Sequence, residues 1–371
     1  MTKFFDSAPV KNVINKLLLV FIFYTVAAAS FNGFFVKWSF LDNEKFDKNS
    51  FSNMYDEKAH RPFVHRQLMF TVAKKIKSAM PEESQKDFLK FLKQNDFLTN
   101  FFEKGTYIEY YYGNTKIEPR FAIEYHIIYF MSFAFLFFSM FLWRQIGFEI
   151  TGNLTAGTLT ACVFAIIFPI FETIGGYSYD FGEIFFISLA TFLAIKSYWL
   201  LLILISPIAE YNKESFLFFL ATLFPLMSVK LGNKKTFLTI ATAIFLSGLV
   251  YLYVKSLYIG NDGTSTEFHL LEHLEYIFIG WTDVEITYGV FFGKGSFLPH
   301  ILIIAWIFKC TWSKIPLIWK NHIKIAALIN FTLYFLLCAS GELRNLSLLY
   351  IGFITMLSIF IKELIFIEQK K

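Results

Sequence analysis

Residues 53–68 read Asn-Met-Tyr-Asp-Glu-Lys-Ala-His-Arg-Pro-Phe-Val-His-Arg-Gln-Leu and lie at the centre of a polar segment, residues 38–124, between the first two apolar runs of the chain. Most of the remaining sequence is apolar enough to lie in hydrocarbon. A chain of this kind concentrates its chemically useful groups in its one long polar segment. We therefore expect a helical membrane body with a large early loop, and we expect the function to depend on that loop.

Apolar residues make up 56% of the 371 residues, and the mean hydropathy is positive. Soluble domains contain about 45–50% apolar residues, and several runs here are long enough for a helix to cross a bilayer. The composition predicts an all-α polytopic membrane protein that forms one integral membrane domain over residues 1–371. The three cysteines have neither metal-site spacing nor a disulfide pattern, and no feature predicts nucleic-acid binding.

Apolar segments predict about ten transmembrane helices, of which the first is retained rather than cleaved as a signal peptide. The segments are residues 17–36, 125–143, 154–171, 181–195, 198–214, 215–229, 236–254, 298–309, 325–338 and 345–361. Residues 181–214 form either one long helix or two short ones that meet at Lys196 and Ser197. We predict two, because two helices place Lys196 and the lysines at 230–235 on one side, as the positive-inside rule requires.

This arrangement puts both termini in the cytoplasm and the two large loops, residues 38–124 and 255–297, outside it. The cytoplasmic loops are then short and basic, whereas the acidic residues and most of the histidines lie on the other side. We therefore expect the functional face to be extracytoplasmic. Amphipathic patterns predict two interfacial helices in the first loop, one from Pro62 towards Lys77 and one over residues 86–102.

Acidic and basic residues follow each other closely in the first loop. Asp42 and Asp56 are candidate catalytic carboxylates, and His60, Arg61 and Arg66 are candidate phosphate-binding groups. A carboxylate near basic groups suits general-base chemistry beside an anion, and arginine binds phosphate in a planar, bidentate geometry. A solvated loop with unrelated charges would show the same residues, so that interpretation stays open.

Charged residues also stand at the ends of later apolar segments, where burial is costly and usually implies a cavity or an ionic partner. They occur at the start of the fourth span, at the junction 210–214 and at the start of the last span. We predict a substrate pocket lined by Asp180, Glu210, Lys213, Glu214, Glu342 and Arg344. A polar turn, an internal Glu–Lys pair and an interfacial arginine are the alternative explanations.

The string His269-Leu-Leu-Glu272-His273 matches an H-x-x-E-H pattern. Two histidines four residues apart share one face of a helix and could bind zinc, with the glutamate as a base. That arrangement would make the chain a membrane zinc peptidase. The preceding residues, 261–266, have the composition of a linker, which favours a surface helix instead.

The order of these features resembles the GT-C class of polytopic glycosyltransferases. Three strings are similar to bacterial members: residues 60–68 to a Tyr-Arg-Pro-Leu type string, 209–215 to an Asn-Arg-Glu-Thr type and 341–344 to a Glu-x-Arg type. The chain departs from this pattern in having Lys213 where arginine is expected and Ser215 where threonine is expected. It also lacks an Asp-Asp or Asp-x-Asp pair in the first loop.

The resemblance implies transfer of a sugar from a polyprenyl-phosphate donor to a cell-envelope glycan, lipid or protein. The reaction would occur at the extracytoplasmic face of a bacterial inner (cytoplasmic) membrane, with magnesium or manganese as the candidate cofactor. Asp56 or Asp42 would be the base or a metal ligand, and arginines would contact the phosphate, namely Arg61, Arg66 and Arg344. The other acids would orient the substrates in the pocket, namely Asp180, Glu210, Glu214 and Glu342.

A transporter or flippase for an anionic lipid-linked sugar is the main alternative. It would use the same buried charges but would need no catalytic acid in the first loop. Inverted repeats are typical of many transporters, and no clear internal repeat is visible in this sequence. The sequence therefore favours the glycosyltransferase and leaves the transporter and the zinc peptidase open.

Overall fold

Helices form nearly all of the regular structure of this chain. The computed structural model describes residues 8–35, 48–94, 119–172, 177–264, 268–279, 284–288, 290–293 and 298–368. In these ranges the strands form a single antiparallel hairpin, in which β1 (Val284–Thr287) pairs with β2 (Val290–Gly293). The α-helices, in chain order, are α1 Ala8–Phe35, α2 Phe51–Tyr55, α3 Leu68–Ala79, α4 Glu82–Gln94, α5 Ala122–Thr151, α6 Leu154–Phe171, α7 Ser178–Lys196, α8 Trp199–Asn212, α9 Phe216–Thr222, α10 Phe224–Leu231, α11 Asn233–Leu257, α12 Leu270–Ile279, α13 Leu298–Thr311, α14 Leu317–Leu337 and α15 Tyr350–Glu368.

The protein is a helical integral membrane protein. Six helical segments in the described ranges are long and apolar enough to cross a bilayer: Asn12–Phe34, Ala122–Thr151, Leu154–Phe171, Ser178–Lys196, Asn233–Leu257 and Leu343–Ile365. The four other predicted spans are also helical, but α8 and α13 are short, α9 and α10 are separate short helices, and α14 is not among the candidate spans. Polar residues such as Asn321, His322 and Asn330 interrupt the apolar sequence of α14. The coarse prediction of a polytopic helical fold is confirmed, and ten crossings remain a prediction.

Residues 181–214 form two helices, as predicted. Helix α7 ends at Lys196, Ser197 has a φ of 62°, and α8 begins at Trp199. The Tyr198 amide donates to the Leu193 carbonyl over 2.9 Å, and the Ser197 amide donates to the Ala194 carbonyl over 3.0 Å. These two bonds form a Schellman-type cap, which satisfies the last carbonyls of α7 and lets the chain reverse.

The first loop differs in detail from its prediction. A 3-10 helix covers Phe63–His65, and α3 begins only at Leu68, so the prediction of one helix from Pro62 is wrong at its start. The backbone at Arg66 leaves the helical region, with φ −93° and ψ 65°, which turns its side chain into the protein. The second interfacial helix begins at Glu82 rather than at residue 86, since Glu82 and Glu83 suit the positive end of a helix dipole. Its predicted end, residues 95–102, lies outside the described residues.

The connections between many of the long helices lie at two opposite ends of the bundle. One end, which we call the basic end, carries lysines that pair with glutamates of other helices. Lys196 pairs with Glu149 over 2.6 Å, and Lys314 pairs with Glu363 over 2.5 Å. At the opposite end, the site end, α6 and α8 finish while α7 and the 3-10 helix Leu343–Leu349, which precedes α15, begin.

Close helix packing fixes the geometry between these ends. A Cβ atom on Gly157 would lie 2.4 Å from the Arg144 carbonyl oxygen, so α5 and α6 approach more closely than a side chain permits. The Trp143 indole donates to the Ser188 hydroxyl over 2.8 Å and joins α5 to α7. Small residues and polar contacts of this kind are the usual means of helix association in a bilayer. They hold the ends of these helices in fixed register at the site end.

Candidate functional site

Three cations from distant parts of the sequence meet buried carboxylates at the site end. Arg66 follows the first-loop 3-10 helix, Lys213 follows α8, and Arg344 lies in the 3-10 helix before α15. Their side chains are only 11%, 5% and 6% exposed, respectively. We call this group the ionic cluster and define it as Arg66, Glu172, Asp180, Glu183, Lys213, Glu214, Glu342 and Arg344.

Lys213 lies at the centre of the ionic cluster. Its Nζ is 2.8 Å from Asp180 Oδ1 and 2.6 Å from Glu183 Oε2, and these two carboxylates are 2% and 3% exposed. Glu183 also accepts hydrogen bonds from the hydroxyls of Ser215 and Ser347, so it joins three chain segments. Buried charges persist only when they are paired and hydrogen-bonded. Lys213, Asp180 and Glu183 therefore form the framework of the site.

Asp180 has a second role in the capping box at the start of α7, where Tyr177 is the N-cap residue. Its Oδ2 accepts the Tyr177 amide over 3.0 Å and the Arg344 guanidinium over 3.2 Å. Burial raises the pKa of the Glu172 carboxyl, and the nearby Asp180 charge raises it further. Glu172 is 1% exposed, and its Oε2 has no hydrogen-bond partner among the described residues.

Arg66 forms a bidentate pair with Glu214. Its Nε is 3.0 Å from one carboxylate oxygen, and its terminal nitrogen is 2.5 Å from the other. The second terminal nitrogen donates to the Tyr179 hydroxyl over 2.6 Å, and the guanidinium lies 4.6 Å from the centre of that ring. Burial opposes the charge, but the Glu214 carboxylate outweighs it and raises the pKa of Arg66 above its usual range. Arg66 is therefore a permanent cation.

Arg344 is paired less completely. Its terminal nitrogens donate to Asp180 over 3.2 Å and to Glu342 over 2.8 Å, and its guanidinium lies 4.8 Å from the centre of the Tyr177 ring. Its Nε–H is buried and has no hydrogen-bond partner within the described part of the chain. A charged donor without a partner in the interior is costly, so a bound acceptor would stabilise this position.

The carboxylates of the ionic cluster differ in their exposure. Glu214 and Glu342 are 27% and 23% exposed, and each pairs with an arginine. Asp180 and Glu183 are almost fully buried and pair with Lys213. An anion that arrives from outside can therefore replace Glu214 or Glu342 on an arginine while the buried framework remains paired. This arrangement can bind a phosphate, which arginine contacts bidentately.

Comparisons with protein-family models, curated proteins and solved structures found no match to this chain.

The structure brings together six of the predicted site residues in the ionic cluster. These are Arg66, Asp180, Lys213, Glu214, Glu342 and Arg344. The sequence interpretation did not select Glu172 and Glu183 as site residues. Both stand at the edges of apolar segments, which is the same signal that selected Asp180.

Other predicted residues have different partners. The Arg61 guanidinium donates to the Gly263 carbonyl over 2.6 Å, which ties the first loop to the second. The neighbouring His60 donates its backbone amide to the Lys48 carbonyl over 2.9 Å. Glu210 accepts the Leu217 amide over 2.9 Å and so caps the start of α9. Each contact has a structural role: Arg61 and Glu210 bind through one side-chain group each, and His60 binds through its backbone. Arg61 Nε and Glu210 Oε1 are buried without a hydrogen-bond partner among the described residues.

Asp56, the candidate base, lies in a second group of charges. Its carboxylate is 29% exposed and 3.5 Å from the Arg120 guanidinium. Gln67, the residue after Arg66, donates a hydrogen bond to the Met54 carbonyl over 3.2 Å. This bond connects the segment that contains Asp56 to the ionic cluster. Asp42, the other candidate, lies outside the described residues.

His65 is a buried histidine beside the ionic cluster. It is 8% exposed, and its Nε2 has no hydrogen-bond partner among the described residues. Burial lowers the pKa of His65, and the nearby Glu214 carboxylate opposes that effect only in part. The imidazole is therefore held neutral next to the Arg66–Glu214 pair. The sequence interpretation did not list His65 as a site residue, although it lies beside Arg66.

The H-x-x-E-H string does not form a metal site in the described residues. His269 Nδ1 contacts Glu272 over 2.7 Å, whereas His273 Nε2 faces the Tyr334 and Cys338 carbonyls at 3.0 Å and 2.8 Å. The His273 contacts dock α12 on the end of α14. Within the described ranges there is no group of three or more histidine, cysteine or acidic side chains that could hold a metal ion.

Proposed function

We propose that this chain is a GT-C-like membrane glycosyltransferase. It would move a sugar from a polyprenyl-phosphate donor to a cell-envelope glycan, lipid or protein acceptor. One observation carries the proposal: Arg66 and Arg344 are buried cations whose paired carboxylates, Glu214 and Glu342, reach solvent at one end of a membrane helix bundle. A lipid-linked donor presents its phosphate at that depth, because its hydrocarbon chain stays in the bilayer.

The charge distribution supports an extracytoplasmic site. The basic end carries Lys196, Lys230 and Lys314, which the positive-inside rule assigns to the cytoplasm. The site end is opposite and would face outwards, with both termini inside and ten crossings of a bacterial inner membrane. An outward-facing site suits a donor and an acceptor that are both outside the cytoplasm.

The chemistry assigns separate roles to the charged groups. An acceptor hydroxyl attacks the anomeric carbon, the bond from that carbon to the phosphate oxygen breaks, and the phosphate leaves with the electron pair. Arg344 and Arg66 would stabilise the charge on the leaving phosphate. Asp56 would accept the hydroxyl proton, since its carboxylate is accessible from the outside. Lys213 would keep the buried carboxylates paired throughout.

A transfer assay tests this proposal. Purified protein is incubated with radiolabelled polyprenyl-phosphate sugars and a membrane extract as the acceptor. Wild-type protein is expected to transfer the label to the acceptor. The Asp56→Asn variant should bind the donor, but its turnover should fall by about 10²–10⁴-fold. The Arg344→Gln variant should lose affinity for the donor. Full activity in the Asp56→Asn variant would contradict the assignment of Asp56 as the base. Absence of turnover by wild-type protein with any donor would refute the glycosyltransferase proposal.

A transporter or flippase for the same anionic lipid is the second candidate. One observation favours it: among the described residues, Asp56 pairs with Arg120 outside the ionic cluster, whereas each cation of the cluster pairs with a carboxylate of the cluster. A transporter needs the anion-binding arginines but no proton acceptor. Saturable binding of the lipid-linked sugar without transfer would support this candidate over the transferase.

A further inference from the structure

The second large loop is bound to the first loop at the point where it leaves α11. Asn261 lies just beyond the end of that helix and donates through Nδ2 to two backbone carbonyls of the first loop, at Glu57 over 2.8 Å and at Ala59 over 3.1 Å. Because both acceptors are backbone groups, the contact fixes the path of the chain rather than one side chain. Asn261 therefore holds the segment that follows Asp56.

Arg61 is held by the next two residues of the second loop. Its backbone amide donates to the Asp262 carbonyl over 2.9 Å, and its guanidinium donates to the Gly263 carbonyl over 2.6 Å. The two chains run parallel at this point, and Gly263 has a φ of 87°. A Cβ atom on Gly263 would lie 2.7 Å from the Arg61 carbonyl oxygen, so the chains approach more closely than a side chain permits. We call residues 261–263 the loop clamp.

A compact turn connects the loop clamp to the ionic cluster. Successive backbone hydrogen bonds of 3.1 Å close this turn, from the amides of Val64, His65 and Arg66 to the carbonyls of His60, Pro62 and Phe63, respectively. Because these bonds run through residues 60–66, a displacement of Arg61 is passed on to Arg66. Arg66 in turn forms the bidentate pair with Glu214 in the ionic cluster. A hydrogen-bonded path therefore joins the second loop to a cation of the site.

We propose that the loop clamp is a positioning element that acts through Arg61 and aligns Arg66 with the phosphate of the ligand. The inference rests on the proposed function for the identity of that ligand, a polyprenyl phosphate. Bidentate contact with a phosphate requires one orientation of the guanidinium plane, and a displacement of about 1 Å in a positioned group can cost roughly a hundredfold in rate. Arg61 is then the joint between the two loops rather than a phosphate contact.

The test displaces the loop clamp with Gly263→Ala, which introduces the Cβ atom for which the first loop leaves no room. Gly260→Ala is the matched control in the same loop, because nothing lies within 4 Å of the added atom. Gly152→Ala controls for backbone strain, since Gly152 has a φ of 67° and open space around it. Size-exclusion elution establishes that each purified variant is folded.

Two measurements are made on these proteins. The first is the affinity for radiolabelled polyprenyl phosphate, which Gly263→Ala should weaken by about tenfold or more and the two controls by less than about twofold. The second is hydrogen exchange of the backbone amides over residues 60–66, which needs no ligand. Gly263→Ala should speed this exchange by about tenfold or more, because local opening of the turn becomes easier, whereas the controls should leave it unchanged.

A double-mutant cycle separates positioning of Arg66 from a general loss of stability. In the Arg66→Gln background, Gly263→Ala should weaken binding by less than about twofold further, because the cation that it displaces is already absent. In the Arg344→Gln background, the loss should remain about tenfold. Equal losses in the wild-type and Arg66→Gln backgrounds would overturn the inference. Unchanged exchange over residues 60–66 in a folded Gly263→Ala protein would do the same.

The outcomes distinguish this inference from the proposed function. If wild-type protein binds polyprenyl phosphate and Gly263→Ala binds it equally well, the phosphate site stands and the loop clamp is rejected as its positioning element. If wild-type protein binds no polyprenyl phosphate, the proposed function fails. The exchange measurement then decides the loop clamp by itself, since faster exchange at Arg66 in Gly263→Ala supports it and unchanged exchange rejects it.

Discussion

Replacement of Lys213 by methionine tests whether the buried framework holds the site together. Lys213 is 5% exposed, and its two partner carboxylates are 2% and 3% exposed. Removing one partner of a buried ion pair costs about 3–5 kcal/mol, because the remaining charge stays buried without compensation. Since 1.4 kcal/mol is tenfold in an equilibrium constant, the folded-to-unfolded ratio should fall by about a hundredfold to a few thousandfold.

The assay is the half-life of detergent-solubilised protein at raised temperature, since membrane proteins often unfold irreversibly and their operational stability is then a rate. Lys213→Arg keeps the cation and should lose much less. The matched control is Lys74→Met, which removes a lysine from a pair with Glu57 whose members are 32% and 49% exposed. Such an exposed pair contributes about 0–1 kcal/mol. Equal half-lives for Lys213→Met and Lys74→Met would refute the argument.

Two further predictions concern the periphery of the ionic cluster. Glu342→Gln removes the carboxylate that competes for Arg344, so the affinity for polyprenyl phosphate should rise by about threefold or more. The measurement is the binding of radiolabelled polyprenyl phosphate to purified protein, and a weaker affinity in the variant would show that Glu342 does not compete. Burial lowers the pKa of His65 in the folded protein. As the pH falls through the ordinary histidine pKa of about 6.5, His65 is therefore protonated in the unfolded chain before it is protonated in the folded protein. This contribution to stability is present above that pH and is lost below it. His65→Gln should therefore flatten the decrease in thermal stability between about pH 7 and pH 5, and an unchanged pH profile would contradict a neutral buried imidazole.

Local sequence information was sufficient to predict the long apolar helices. A run of apolar residues as long as residues 236–254 favours a helix wherever it lies, because an extended chain in hydrocarbon would leave its amides unpaired. The chain reversal at Ser197 was predicted from the positions of the lysines with the positive-inside rule. This rule depends on the sequence and the membrane, but not on tertiary contacts. The gathering of Asp180, Lys213 and Arg344 was also predictable, since each stands at the same end of its predicted span.

Partner choice was not predictable in the same way. Arg61 binds a carbonyl at Gly263, and this pair is 202 residues apart in sequence, so no local pattern distinguishes it from Arg66. Glu210 and Glu214 stand four residues apart in one polar junction, yet one caps α9 and the other pairs with Arg66. The start of α3 at Leu68 likewise depends on how Arg66 turns inwards to Glu214. These differences arise from packing between distant segments.

The most direct test of the central claim is the affinity of purified protein for the polyprenyl-phosphate sugar donor after Arg344→Gln. Arg144→Gln is the matched control, because Arg144 lies away from the ionic cluster and donates to Thr158 over 3.0 Å. Hydrogen bonds to charged groups contribute about 1.5–3 kcal/mol, so Arg344→Gln should weaken donor binding by about ten- to a hundredfold. Arg144→Gln should bind like wild type. Wild-type affinity in a folded Arg344→Gln protein would contradict the assignment of the ionic cluster as the phosphate site.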